Sequence, residues 1–274
     1  MLISRHLGVR DASGRLEDEL AGRLAASGFG VLVTPHLYHL PHGSDVWSQI
    51  AEIEGALAVA GWLSPRPIEC LIREYADRET DFAVDLCEAH DVQAAAAAIL
   101  DALGPCEGSG EVREVEAEVT GRWYPVLDRT RCTSCQHCLQ FCLFGVYASD
   151  AGRVVAVNPD NCKDGCPACA RVCPEGAIIF PLSDEPAIAG APGTVMEPDA
   201  AARRMYYVRT GRPCRVCGEV AEAGEMTERA GGPTCEECGR VLEQAEAPAR
   251  ASAVHQDIDE LIDALDDLAG SARE

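Results

Sequence analysis

The sequence has no long apolar run. No stretch approaches the roughly 18 consecutive apolar residues of a membrane-spanning helix. Its first residues also lack the apolar core and the small-residue cleavage site of a secretory signal. We therefore expect a cytoplasmic protein without a membrane span.

Basic residues are scarce as well. The chain has 23 Lys and Arg against 45 Asp and Glu, which gives a formal net charge of −22. Binding to nucleic-acid phosphates needs a basic surface, so this balance argues against a nucleic-acid partner. The acidic surface serves either solubility alone or docking onto the basic surface of a redox partner protein.

Loops that bind nucleotides are absent. The chain contains neither a Gly-x-Gly-x-x-Gly nor a Walker sequence, so nothing in it favours a nucleotide site. Flavin, nicotinamide and molybdenum signatures are missing too, which favours a chain that catalyses no reaction itself.

Cysteine, by contrast, is abundant and clustered. Of the 15 cysteines, eight lie in a double motif between residues 131 and 174, and four form two later pairs. In a cytoplasmic protein, clustered cysteines indicate metal binding and not disulfide bonds.

The double motif consists of two runs of four cysteines. The first run has the spacing C-x2-C-x2-C-x3-C, and the second has one extra residue between its first two cysteines. The members are Cys132, Cys135, Cys138 and Cys142, followed by Cys162, Cys166, Cys169 and Cys173. Zinc sites favour two separated C-x2-C pairs, so zinc is the weaker interpretation. The pattern resembles that of bacterial two-cluster ferredoxins.

This resemblance implies two [4Fe–4S] clusters, each held by three cysteines of one run and the fourth cysteine of the other. The first cluster would take Cys132, Cys135, Cys138 and Cys173. The second would take Cys162, Cys166, Cys169 and Cys142. The resemblance also implies a pseudo-twofold module over residues 119–182, with a short helix after each loop and a closing hairpin.

Two positions depart from the family pattern. Leu143 stands where the family has proline, which should keep an apolar contact but loses proline's fixed backbone angle. The extra residue enlarges the loop at residues 163–165, where Gly165 can adopt a positive φ. We expect the second cluster to persist with an altered potential; a three-iron cluster is the alternative.

Residues 1–105 alternate strand and helix patterns. Apolar spacing predicts helices at 15–26, 46–54, 68–76 and 91–103, and short strands at 30–34, 56–60 and 81–86. Such alternation indicates a parallel sheet covered on both faces. We predict an N-terminal α/β domain of flavodoxin-like or Rossmann-like form within an α+β multidomain chain, with residues 107–118 as a junction.

Three histidines follow the first of these strands. His36, His39 and His42 recur at every third position, and Arg66 follows the second strand. The ends of parallel strands commonly bind ligands. The pattern therefore predicts either a metal or substrate site or only a polar, histidine-rich loop, since its two prolines prevent a regular helix.

The remaining chain begins with a linker-like stretch at residues 183–205 and continues with a four-cysteine motif. Two C-x2-C-Gly knuckles within residues 206–245 resemble a zinc ribbon, whose Zn²⁺ would be held by Cys214, Cys217, Cys235 and Cys238. A rubredoxin-like iron site has the same ligands and is the alternative. Residues 255–270 show the apolar stripe of an acidic amphipathic helix, which either packs on its own protein or binds a partner's groove.

These observations predict an iron–sulfur electron-transfer protein that exchanges electrons with a partner oxidoreductase. One alternative is an iron–sulfur enzyme subunit whose α/β domain binds a small molecule or a tetrapyrrole. The other is a protein of iron–sulfur assembly or regulation.

Overall fold

The computed structural model describes residues 1–8, 12–89, 91–108, 110–119, 121–197, 200–214 and 216–221, together with Cys235 and Cys238. The chain forms two compact units, Met1–Ala202 and Arg203–Glu274. Among the described residues, no helix is both long enough and apolar enough to cross a membrane.

The first unit contains a five-stranded sheet in which all strands are parallel. Its strands are β1 (Leu2–Ser4), β2 (Val31–Thr34), β3 (Ala58–Gly61), β4 (Phe82–Asp85) and β5 (Val112–Glu114). Their order across the sheet is β4-β3-β1-β2-β5. The predicted α/β character and parallel sheet are therefore confirmed.

Four helices connect these strands: α1 (Ala12–Ala26), α2 (Asp45–Ala51), α3 (Pro65–Ala76) and α4 (Val92–Leu103). Helix α4 begins where the side chain of Asp91 accepts a hydrogen bond from the backbone N–H of Ala94 at 2.7 Å, as an N-cap does. A proline at the first position of α3 needs no hydrogen-bond donor there.

Alternate residues of the strands supply two apolar cores, one on each face of the sheet. On one face, Ile3 and Val33 pack with α1 and α4. On the other, Leu2 and Leu32 pack with α2 and α3. This second core also contains Tyr124, Val126 and Ile179 of the cysteine-rich segment, so the two parts of the unit share one core.

Two strands of the sheet were not predicted from the sequence. Strand β1 lies between β2 and β3. It was missed because three residues are too few to show the apolar pattern of a strand. Strand β5 lies in the acidic segment expected to be a junction and pairs with β2. Its three residues are exposed, so no burial pattern marks it; the pairing with an already formed neighbour determines its structure.

The cysteine-rich segment has a repeated arrangement. Strand β6 (Val126–Leu127) pairs antiparallel with β9 (Ile178–Ile179), and β7 (Tyr147–Asp150) forms a hairpin with β8 (Arg153–Ala156). Each cysteine loop runs into a short helix, α5 (His137–Phe141) or α6 (Ala168–Val172). The short helices and the hairpin occur as the resemblance implied.

The stretch that was expected to be a linker packs, in its described part, against this segment. Helix α7 (Pro186–Ala189) contains the fully buried Ile188, whose carbonyl accepts the backbone N–H of Phe180. Gly176, at φ +55°, has no room for a side chain, since a Cβ there would lie 2.4 Å from Val195. In its described part the stretch is therefore packed on the cysteine-rich segment through Ile188 and Val195.

In the second unit the structure describes few residues. Helix α8 (Ala200–Thr210) carries the chain into it, and Pro213 and Val220 form an isolated antiparallel bridge. The predicted helix at residues 255–270 lies outside the described residues, as does most of the predicted ribbon at 206–245.

Candidate iron–sulfur centres and four-cysteine site

Four thiols of the double motif line one small pocket. They are Cys132, Cys135 and Cys138 of the first loop and Cys173 at the end of α6. This is the set that the ferredoxin resemblance assigns to the first cluster. Burial raises the pKa of the Cys138 thiol, and the charges of the three other thiols raise it further.

The other four thiols also act on one another. Burial raises the pKa of Cys162 to about 12, and the neighbouring Cys166 and Cys142 contribute to this shift. Burial likewise raises the pKa of Cys169 although the Tyr147 hydroxyl lowers it, and Cys138 of the first set acts on this thiol as well as Cys162 and Cys142. These four are the set assigned to the second cluster. A cluster binds thiolates, whereas a raised pKa keeps these thiols protonated. Cluster binding would therefore release protons, and the positive charge of iron would stabilise the thiolates in place of water.

The first cysteine loop has an unusual backbone. Ser134 and Gln136, each between two of the cysteines, have φ values of +55° and +66°. Residues other than glycine adopt such angles rarely and at some energetic cost. The turns let three cysteines within seven residues share one pocket. In the second loop, Gly165 takes the positive angle, with φ +69°, as predicted from the extra residue.

Hydrogen-bond donors reach sulfurs of the double motif. The backbone N–H of Ala177 donates to Cys173 Sγ at 3.3 Å, and the hydroxyl of Tyr147 donates to Cys169 Sγ at 3.1 Å. Tyr147 was not singled out from the sequence. Donors of this kind stabilise thiolate ligands and tune iron–sulfur potentials. The buried thiols, their grouping and these donors therefore fit iron–sulfur ligation.

One expectation about the family pattern is wrong. Leu143, which replaces the usual proline, was expected to keep an apolar contact, but it is 75% exposed. Leucine does not fix the backbone angle as proline would, and here its side chain lies mostly outside the core. Phe144 and Val157 are also exposed, at 40% and 51%. Asn158, next to Val157, donates from Nδ2 to the carbonyl of Gly145, next to Phe144, at 3.2 Å.

The predicted ligand residues of the α/β part do not form one site. Arg66 donates from Nε to Asp128 at 2.8 Å and from Nη2 to the carbonyl of Gly176 at 2.7 Å. The Arg66–Asp128 pair is largely buried, with side-chain exposures of 20% and 6%. Hydrogen bonds from Thr130 and Arg66 outweigh the effect of burial and lower the pKa of Asp128. Arg66 thus joins the α/β part to the cysteine-rich segment.

Two of the three histidines lie at the same junction. His39 Nδ1 accepts the backbone N–H of Arg122 at 3.0 Å. His42 stacks on Tyr75 with ring centroids 4.5 Å apart, and its Nε2 lies 2.9 Å from the Tyr75 hydroxyl. Beside them, Tyr38 stacks on Tyr124 at 4.3 Å.

His36 points to a different place, although its ring centroid is only 4.8 Å from that of His39. It lines a cleft at the carboxyl ends of β1, β2 and β5. The three-residue spacing of the histidines therefore distributes them between a junction and a cleft.

The four later cysteines converge. The sulfur atoms of Cys214, Cys217, Cys235 and Cys238 lie within 4.8 Å of one another. The Cys214–Cys235 and Cys217–Cys238 distances are 3.8 and 3.6 Å. Two knuckles 21 residues apart in sequence thus bring four thiols close enough for one metal ion.

Comparison with known proteins supports the ferredoxin resemblance. No family model matches the chain. An uncharacterized ferredoxin of Methanocaldococcus jannaschii is 47% identical over 60 residues, which are 22% of this chain and 41% of that ferredoxin. The pyruvate synthase subunit PorD of the same organism is 37% identical over 62 residues, which are 22% of this chain and 71% of that subunit. The chain thus spans less than half the length of the first relative.

Proposed function

Because the chain belongs to the ferredoxin family through a segment of about 60 residues, we propose that it transfers electrons through two [4Fe–4S] clusters to or from a partner oxidoreductase. When bound, such clusters accept and give up single electrons. The first would be held by Cys132, Cys135, Cys138 and Cys173, and the second by Cys162, Cys166, Cys169 and Cys142.

The grouping of the eight thiols carries this proposal. Four of them line one pocket, in which Cys173 at the end of α6 joins the three thiols of the first loop. This crossed supply of the fourth ligand is what two cubanes in one small fold require. A single zinc ion would need four thiols from two C-x2-C pairs.

The similarity to PorD supports a place in a larger oxidoreductase complex. PorD is, by its name, one subunit of pyruvate synthase. The exposed Leu143 and Phe144 directly follow Cys142, a ligand of the proposed second cluster. Exposed apolar residues of this kind often mark protein contacts. The chain carries a formal net charge of −22, so the partner surface should be apolar at its centre and basic at its rim.

The four-cysteine group of the second unit is proposed to bind one structural Zn²⁺. A set of four buried or half-buried thiolates is typical of zinc and leaves no open position for catalysis. The rubredoxin-like iron alternative predicts a coloured, redox-active site instead.

An anaerobic reductive titration tests the main proposal. We expect the full chain to take up about two electrons, one for each cluster, and to pass them to horse cytochrome c, a basic one-electron acceptor. Cys169→Ser should remove the contribution of the second cluster. Cys87→Ser, a change at an exposed cysteine outside the motif, should leave uptake unchanged. Uptake that is equal in the wild type and Cys169→Ser would contradict the assignment.

A further inference from the structure

A cleft of about 660 Å³ lies beyond the carboxyl ends of three neighbouring strands. Its walls come from residues that follow β1 (residues 5–8), β2 (Pro35 and His36) and β5 (residues 115–119). This volume is within the usual range of small-molecule sites. In parallel sheets with helices on both faces, ligands bind at this end of the strands.

One wall of the cleft is held rigid by a network of charges. Arg5 donates to Glu17 and Glu114 at 2.9 Å each, and to Asp18 at 2.8 Å. Glu17 is almost fully buried and also accepts the indole N–H of Trp62 at 2.7 Å. The guanidinium of Arg5 is therefore occupied by protein carboxylates and is not available to an anionic ligand.

The groups that remain available are acceptors. Glu116 and Glu118 line the cleft, are exposed, and form no ion pair with any residue that the structure describes. His36 lines it as well. That side chain is 4% exposed, and its Nδ1 has no hydrogen-bond partner. Burial, with the nearby His39 and His6, lowers the pKa of His36 to about 3, so the ring is neutral at pH 7. A buried polar atom without a partner at the wall of a cleft is costly, and it favours a ligand group that can form a hydrogen bond with it.

The charge balance of the cleft determines which ligand it favours. Among the lining residues, one guanidinium (Arg5) faces four carboxylates, those of Glu17, Glu114, Glu116 and Glu118. Apolar side chains, including Leu7 and Val115, complete the walls. A single metal ion does not suit the cleft. Among the described residues, the only side-chain atoms close enough together to bind one metal ion are the four thiols of the second unit.

We propose that this cleft binds a small organic cation, an amine or guanidinium compound with a short apolar body. Its N–H groups would donate to the carboxylates of Glu116 and Glu118, while its apolar part contacts Leu7 and Val115. The site is separate from the cysteine pockets, so the proposal stands independently of the electron-transfer role.

Isothermal titration of the full, anaerobically purified chain tests this proposal. The probes are agmatine, putrescine and arginine methyl ester, with glutarate as an anion of similar size. We expect saturable one-to-one binding of at least one amine and none of glutarate. Loss of two carboxylates near a bound cation should weaken that amine at least about tenfold in Glu116→Gln/Glu118→Gln. Both residues are exposed, so this variant should fold.

A charge-matched variant separates site binding from general attraction to an acidic protein. Glu52→Gln/Glu88→Gln removes the same charge from exposed positions outside the cleft and should bind the amine as the wild type does. The proposal is overturned if none of the three amines binds, if glutarate binds equally well, or if both double variants weaken binding to the same extent.

Discussion

Replacing Tyr147 by phenylalanine should lower the reduction potential of the proposed second cluster. The Tyr147 ring is 5% exposed and packs among the buried residues around the thiols. Its hydroxyl donates to Cys169 Sγ at 3.1 Å. Phenylalanine keeps the ring and removes only this donor, so the packing should be preserved.

The size of the effect follows from the charge on the sulfur. A hydrogen bond to a charged group contributes about 1.5–3 kcal/mol. Reduction adds one negative charge to the cluster, so the bond strengthens on reduction by a fraction of that value, on the order of 0.5–1.4 kcal/mol. At 59 mV per tenfold change in a one-electron equilibrium, the loss of the bond lowers the potential by about 20–60 mV.

Voltammetry of the adsorbed protein, checked by EPR-monitored titration, measures both potentials. Only one of the two should move. Tyr75→Phe is the matched control, because the Tyr75 hydroxyl interacts with His42 and not with a thiol. A rise in potential, no shift beyond about 10 mV, or an equal shift in the control would refute the assignment of Tyr147 to the second cluster.

Three further predictions concern the junction, the docking surface and the second unit. Arg66→Ala should lower the free energy of unfolding by about 2–4 kcal/mol in denaturant titration, since Asp128 Oδ2 and the Gly176 carbonyl lose their Arg66 donor. Arg73→Ala, which removes an ion pair with the exposed Glu79, should cost less than about 1 kcal/mol, and equal losses would argue against the junction. Leu143→Gln/Phe144→Gln should slow electron transfer to cytochrome c without changing either reduction potential. The control Leu182→Gln, a change at another exposed leucine, should leave the transfer rate unchanged. Added salt should slow transfer in the wild type and in both variants, and salt-independent rates would contradict electrostatic docking. Metal analysis should find about one zinc per chain, lost selectively in Cys217→Ser while iron is retained; iron in place of zinc would favour the rubredoxin-like site.

The sequence predicted the elements whose pattern repeats over many residues. The alanine-rich α4 with its Asp91 cap, and the three helices before it, have helical spacing. The resemblance of the cysteine runs to ferredoxins implied that Cys173 belongs with the first three cysteines of the first run, and these four thiols do line one pocket. Gly165 was identified from the extra residue in the second run.

What the sequence did not predict depends on contacts between distant parts of the chain. Strand β5 is exposed and acquires its structure from β2. Arg66 and His39 were grouped as ligand residues, but their partners, Asp128 and the backbone of Arg122, are 62 and 83 residues away. Tyr147 is likewise 22 residues from Cys169. No local pattern marks such pairs.

Iron and acid-labile sulfide analysis of the anaerobically purified chain, with EPR of the reduced protein, tests the two-cluster proposal most directly. We predict about eight iron and eight sulfide per chain, and the EPR spectrum of two interacting [4Fe–4S]⁺ centres. About four iron per chain, with the signal of one isolated centre, would contradict the assignment of Cys142, Cys162, Cys166 and Cys169 to a second cluster.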